Sequence, residues 1–158
     1  MIRPTVPADT PALVAVAEST GVFKPLEIAT LRAVLDDYHA GAHVEGHRAV
    51  TFEQQGQPIG FAYYAPIAMT DHTWDLWWIA VGKHTHARGV GSKLLRHAED
   101  DIRAAGGRLL VIETSSLPKY ALTRRFYVKH GYEQAGVIAD FYADGDDIVY
   151  FRKRLAPA

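Results

Sequence analysis

The sequence predicts one α/β (α+β) domain: a mixed, mostly antiparallel sheet of about seven strands, with a central parallel pair and helices on both faces. Three observations carry this expectation. Short runs of apolar residues alternate along the chain with longer segments of helical periodicity. One stretch reads strand, glycine loop, amphipathic helix, strand, which sets two strands parallel through a right-handed crossover. No repeat, low-complexity tract or charge block divides the 158 residues, so a single domain over residues 1–158 is expected.

The elements follow in order. Ile2 to Thr5 suits a short first strand. Asp9 offers a carboxylate cap to a helix over Pro11–Ser19, whose Leu13, Val14, Val16 and Ala17 form an apolar face. A second helix over Leu26–Tyr38 repeats Leu31, Val34, Leu35 and Tyr38 at helical spacing. Arg48–Glu53 and Ile59–Tyr64 flank the polar turn Gln54-Gln55-Gly56-Gln57-Pro58 and read as an antiparallel hairpin. Trp74–Val81 is nearly all apolar, as in a strand covered on both faces. A loop over Gly82–Arg88 leads to Gly89-Val90-Gly91 and a helix ending at Ala105. That helix has an apolar stripe of Leu94, Leu95, Ala98, Ile102 and Ala105, with Lys93, Arg96, Glu99, Asp100 and Arg103 expected to face water. Gly106-Gly107 supplies a left-handed ending, and Leu109–Glu113 is a short buried strand. Ala121–His130 reads as a helix stopped at Gly131, and Glu133–Ala139 and Asp147–Arg154 close the sheet. The acidic turn Asp144-Gly145-Asp146-Asp147 is expected to be solvated, though with Asp140, Phe141 and Tyr142 it could rim a site for a cationic amine.

Composition narrows the function. With 48% hydrophobic and 22% charged residues and a net charge of -1, nothing favours nucleic acid or an anionic membrane as partner. The chain has no cysteine, which excludes disulfides, thiolate metal sites and a cysteine nucleophile. Met1 to Thr5 lacks the apolar core of a signal peptide, and the run Leu76–Val81 is too short to cross a bilayer, so a cytoplasmic protein is expected. His39, His43 and His47 are spaced four apart, but Gly41 and Gly46 interrupt the helix that would stack them, so no metal is expected.

The chemistry concentrates at Arg88-Gly89-Val90-Gly91-Ser92. A helix N-terminus presents unpaired amides and partial positive charge, and glycines let an anion approach the backbone. Arg88 and Lys93 could add charge. A strand-to-helix turn using glycine for geometry alone matches the same residues. A dinucleotide fingerprint fits less well: Leu94 stands at its third glycine, and residues 82–88 intervene after the strand, although Glu113 lies near the place of a ribose-binding acid. The Walker pattern is missing.

Ile79-Ala80-Val81 followed by His86-Ala87-Arg88-Gly89-Val90-Gly91-Ser92-Lys93-Leu94-Leu95 resembles the coenzyme A loop of the GNAT superfamily of N-acetyltransferases, and Phe126-Tyr127-Val128-Lys129-His130-Gly131-Tyr132 is similar to its second motif. The resemblance runs from about Arg48 to Leu155 and loosely takes in the two N-terminal helices. His86 and Ala87 depart from the family's preferred Gln or Arg and Gly. Tyr120 and Thr123 stand where many members have Asn and Ala.

What the resemblance implies is a transfer of acetyl from acetyl-CoA, as cosubstrate and without metal, to a primary amine by direct attack. Pantetheine would enter between the strands of Trp77–Val81 and Leu109–Glu113, pair with the backbone near Ile79, Ala80 and Val81, and pass Tyr120. Amides near Ile79 and Ala80 would polarise the thioester carbonyl. Residues 86–92 would hold the pyrophosphate at the helix start. Tyr127 is the implied general acid, since a phenol with a reference pKa near 10 is protonated at neutral pH. Glu113 is the candidate base, directly or through water, with Asp75 as the alternative. The acceptor is a small molecule or a protein N-terminus, and a homodimer is compatible with the chain. A binding module that senses acetyl-CoA without turnover is the second reading, and a dinucleotide-binding protein the third.

Overall fold

The computed structural model describes residues 1–85 and 87–157. In chain order the elements are β1 (Ile2–Pro4), α1 (Thr10–Ser19), α2 (Pro25–Ala40), β2 (Arg48–Gln54), β3 (Gln57–Pro66), β4 (Thr73–Val81), α3 (Val90–Ala104), β5 (Leu109–Ser115), α4 (Ala121–Lys129), β6 (Glu133–Ala143) and β7 (Asp146–Arg154). Short 3-10 turns cover Pro7–Asp9, Ala42–Glu45 and Pro118–Tyr120. The strands form one seven-stranded sheet in the order β1-β2-β3-β4-β5-β7-β6. Every pair is antiparallel except β4 and β5, the pair that α3 connects. The expected fold class is the observed one.

Two apolar layers explain the two helical faces. On one side Tyr64, Trp74 and Leu76 pack with Leu94, Leu95 and Ile102 of α3. On the other, Phe61 and Tyr63 meet Leu13 of α1 and Leu31 and Leu35 of α2. Alternation along the strands sends successive side chains to opposite layers. The β2–β3 turn is tighter than the sequence suggests. Its central residues Gln55 (φ 51°) and Gly56 (φ 75°) are both left-handed, which matches the twist of the two strands and extends the hairpin by several residues.

Four expectations change. Asp9 gives no side-chain cap to α1. Its carboxylate instead takes a hydrogen bond from the Val6 N–H at 2.9 Å and pairs with Arg3 at 2.7 Å, fastening β1 to the turn before the helix. Glu99 does not face water. It is buried, accepting from the Tyr132 hydroxyl at 2.7 Å and from Lys153 Nζ at 2.9 Å, because Tyr132, just after α4, and Lys153 of β7 cover that flank of α3. The strand expected to stop at Ala139 runs to Ala143. Its pairing with β7 is irregular between Ile138 and Ala143, where Asp140 has a φ of 55°, and that break hides the extension from a periodicity reading. Asp146, in the acidic turn, is only 4% exposed rather than solvated.

Candidate active site

The position of the site follows from where the parallel pair stops. β4 and β5 are in register from Thr73↔Leu109 to Leu76↔Ile112, and no further. Beyond that point β4 continues against β3 up to Gly60↔Val81, while β5 continues against β7 up to Ser115↔Ile148. The strands therefore part, and each leaves one main-chain edge unpaired toward the gap. A β-bulge contributes: Tyr63 pairs with Trp78 and Tyr64 with Leu76, so Trp77 is the extra residue and β4 bends there. The gap opens into a cavity of about 620 Å³ lined by Trp77–Val81 of β4 and Glu113–Ser115 of β5.

At one end of the gap lies the start of α3. Gly89 adopts φ 70° as its N-cap, and the space a Cβ would occupy there is open. The amides at the start of this helix have no partner within it. Gly91 sits against the Phe126 ring, 3.5 Å from where its Cβ would be, which packs α3 on α4. Ile79, Ala80 and Val81 line the cavity. Ala87, Arg88 and Val90 flank the helix start, with Arg88 exposed and Val90 buried. His86 lies outside the described residues. The Ser92 hydroxyl is 2.9 Å from His130 Nε2, so its side chain faces α4 and leaves only its backbone near the helix end.

Tyr127 of α4 is 4% exposed, packed among the rings of Phe126, Tyr132 and Phe151, and still reaches the cavity wall. Burial, followed by the Glu113 carboxylate, raises its pKa, so the phenol holds its proton throughout the neutral range. Glu113 lines the same cavity. The Asp75 carboxyl lies beside it, and its buried Oδ1 has no hydrogen-bond partner among the described residues. Burial first, then the adjoining Glu113, pushes Asp75 well above the ordinary carboxylate range. Arg124 donates to the carbonyls of Ser115 and Leu117 at 2.7 and 3.0 Å.

A family model for the acetyltransferase (GNAT) domain matches residues 45–134, more than half of the chain. The chain belongs to the GNAT acetyltransferase family. A GNAT-family protein from Desulfovibrio desulfuricans is similar over 99% of both chains, with 37% identity and a TM-score of 0.93. Ribosomal-protein-alanine N-acetyltransferase from Brucella melitensis shares the fold at 20% identity and a TM-score of 0.78, covering 98% of this chain and 99% of its own. The yncA acetyltransferase fold from Salmonella typhimurium, solved with acetyl-CoA, aligns at 17% identity and a TM-score of 0.77 over 100% of this chain and 95% of that one. A comparison with curated protein sequences gives no match.

Within this GNAT fold, several cavity residues were not singled out by sequence. Residues 20–24, between α1 and α2, cross to the opposite wall. The Tyr120 hydroxyl donates to the Val22 carbonyl at 3.2 Å, and Lys24 Nζ lies 3.6 Å from Asp146. Asp146 also accepts from the Ser115 hydroxyl at 2.5 Å. Tyr120, expected only beside pantetheine, thus also anchors this strap. Phe23 packs on Trp78 with ring centroids 5.3 Å apart. No local motif marks Phe23 or Lys24, because they meet the site only through tertiary folding. No helix among the described residues is long and apolar enough to cross a membrane.

Proposed function

We propose that this protein is an N-acetyltransferase that moves acetyl from acetyl-CoA to a primary amine by direct attack. The observation that carries this reading is the parting of β4 and β5 beyond Leu76 and Ile112, beside a protonated tyrosine and a carboxyl pair. A thioester arm laid in that gap meets the free main-chain edge of β4 near Ile79 and Ala80, which positions it and polarises its carbonyl. The diphosphate at the other end of the substrate falls at the open backbone of Gly89 and the amides that follow.

The proton inventory then closes. Glu113 takes a proton from the incoming ammonium, freeing a lone pair on nitrogen. That nitrogen attacks the carbonyl carbon, forming the C–N bond, and collapse of the intermediate breaks the C–S bond. Tyr127 gives its proton to the departing sulfur. The proton shed by the nitrogen as the amide forms returns to the phenol through water, and Glu113 releases the first proton to solvent, so both groups are reset and one proton leaves per turnover. Tyr127 suits this part because its environment favours the protonated form.

Incubation with acetyl-CoA and primary amines tests the proposal through free thiol and an acetylated product found by mass spectrometry. The expected result is thiol release that depends on the amine and matches the product in amount. Acetyl-CoA binding with no acetylated amine would favour the sensing reading and overturn this one.

A further inference from the structure

Resting on that reading, we infer that the acceptor is a small monoamine carried on a flat aromatic group, seated on Trp77. The bulge in β4 turns this indole into the cavity, where it is 45% exposed. An exposed tryptophan on a strand would ordinarily sample several rotamers. This one is held by Tyr63, with ring centroids 5.2 Å apart and planes tilted 32°, and edge-on by His47 at 5.1 Å. His47 Nδ1 is in turn 2.6 Å from the Tyr63 hydroxyl, so the platform is braced before any ligand arrives. Trp78, the Phe23 ring packed on it and Tyr142 line the same cavity, which leaves a slot bounded by rings. Rigid aromatic walls favour a flat apolar guest, since stacking requires little further ordering of the protein.

The charges around the slot favour a single ammonium near the carboxyl pair. Four carboxylates are in or beside the cavity, but two are already engaged. Glu27 accepts from the Lys24 N–H at 3.0 Å, and Asp146 is held by Lys24 and Ser115. No ion pair of the described residues includes Asp75 or Glu113. The ammonium is placed at this pair because it lies beside the point where the strands part, whereas Glu27 stands on α2 in the capping hydrogen bond to Lys24. Lys24 and Lys119 line the same cavity and disfavour further positive charge on the guest. The strap tied by Tyr120–Val22 and Lys24–Asp146 spans the cavity, which suits a small molecule better than the terminus of a folded protein.

The test compares acetylation of 2-phenylethylamine and tryptamine with that of spermidine, kanamycin and a hexapeptide with N-terminal alanine. The two aromatic amines are expected to show the highest kcat/KM. Trp77→Ala should raise KM for 2-phenylethylamine about tenfold, the effect of losing roughly 1.4 kcal/mol of stacking. KM for acetyl-CoA should stay unchanged, and Trp77→Phe should restore most of the loss. Preferred acetylation of spermidine, kanamycin or the peptide would overturn the aromatic-monoamine inference while leaving acetyl transfer intact. So would a Trp77→Ala enzyme with unaltered KM for 2-phenylethylamine. If acetyl-CoA binds and none of the five amines is acetylated, acetyl transfer and the acceptor inference fail together.

Discussion

In the proposed reaction Tyr127 is the acid because burial keeps its phenol protonated through the neutral range, while Glu113 lines the same cavity as the base. The phenol is enclosed by three aromatic rings and buried, so losing its proton there is costly. Replacing it with phenylalanine keeps the ring packing and removes the donor alone. Tyr127→Phe is expected to lower kcat by about a hundredfold, the lower end of general acid catalysis, with KM for acetyl-CoA little changed. Single-turnover measurement of thiol release checks this, and a variant with the parent rate in the chemical step would remove Tyr127 from the mechanism. This residue was legible in the sequence only through the resemblance of Phe126-Tyr127 and Gly131-Tyr132 to a family motif. Composition alone describes a half-buried helix tyrosine. Asp75 was harder to read, because its importance comes from a neighbour across the parallel pair rather than from its own segment.

At the scale of elements, what was local was legible. The stripe on α3, its left-handed ending at Gly106 (φ 83°) and the β2–β3 hairpin all follow from spacing and turn chemistry within a few residues. What depended on a distant partner was not. The burial of Glu99 needs Tyr132 and Lys153, and the length of β6 depends on the Asp147 carboxylate accepting the Asp140 N–H at 2.9 Å. The gap between β4 and β5 was legible only through the family resemblance, since both strands look continuous in sequence. Its partner is expected to be a ligand that combines a diphosphate with an extended amide arm. Coenzyme A should therefore stabilise the protein by ~2.7 kcal/mol at a hundred times its dissociation constant, seen as a rise in Tm. NAD brings a diphosphate but no arm for the free strand edge, so at the same concentration it should leave Tm nearly unchanged. An equal or larger shift with NAD would mean that the helix start, and not the parted strands, dominates recognition.

Over the whole molecule, two carboxyls set opposing pH dependences. Asp9 is held below its ordinary range chiefly by the hydrogen bond from Arg3, within a cluster that also includes Thr51 and ties β1 to β2. A group depressed in the folded state contributes stability above its unfolded pKa and loses it as the pH falls through the folded value. Asp75 behaves in reverse. Burial and the adjoining Glu113 raise it from an ordinary 3.8 to about 9, so the folded protein holds a proton that the unfolded chain releases. Its contribution is complete below the unfolded value and is lost as the pH rises toward the folded one, a decline spread between about pH 4 and 9. Asparagine at this position resembles the protonated acid in shape and cannot ionise. Asp75→Asn should therefore gain stability over the parent as the pH rises from 5 to 8, by up to about 1.4 kcal/mol per pH unit if one proton is involved. Below pH 4 the two proteins should converge, and both should lose the Asp9 contribution on further acidification. Urea denaturation across this range measures the difference directly. Parallel stability curves for parent and variant would show that Asp75 ionises in the fold as readily as in the open chain, and that the carboxyl pair beside the parted strands is not under electrostatic tension.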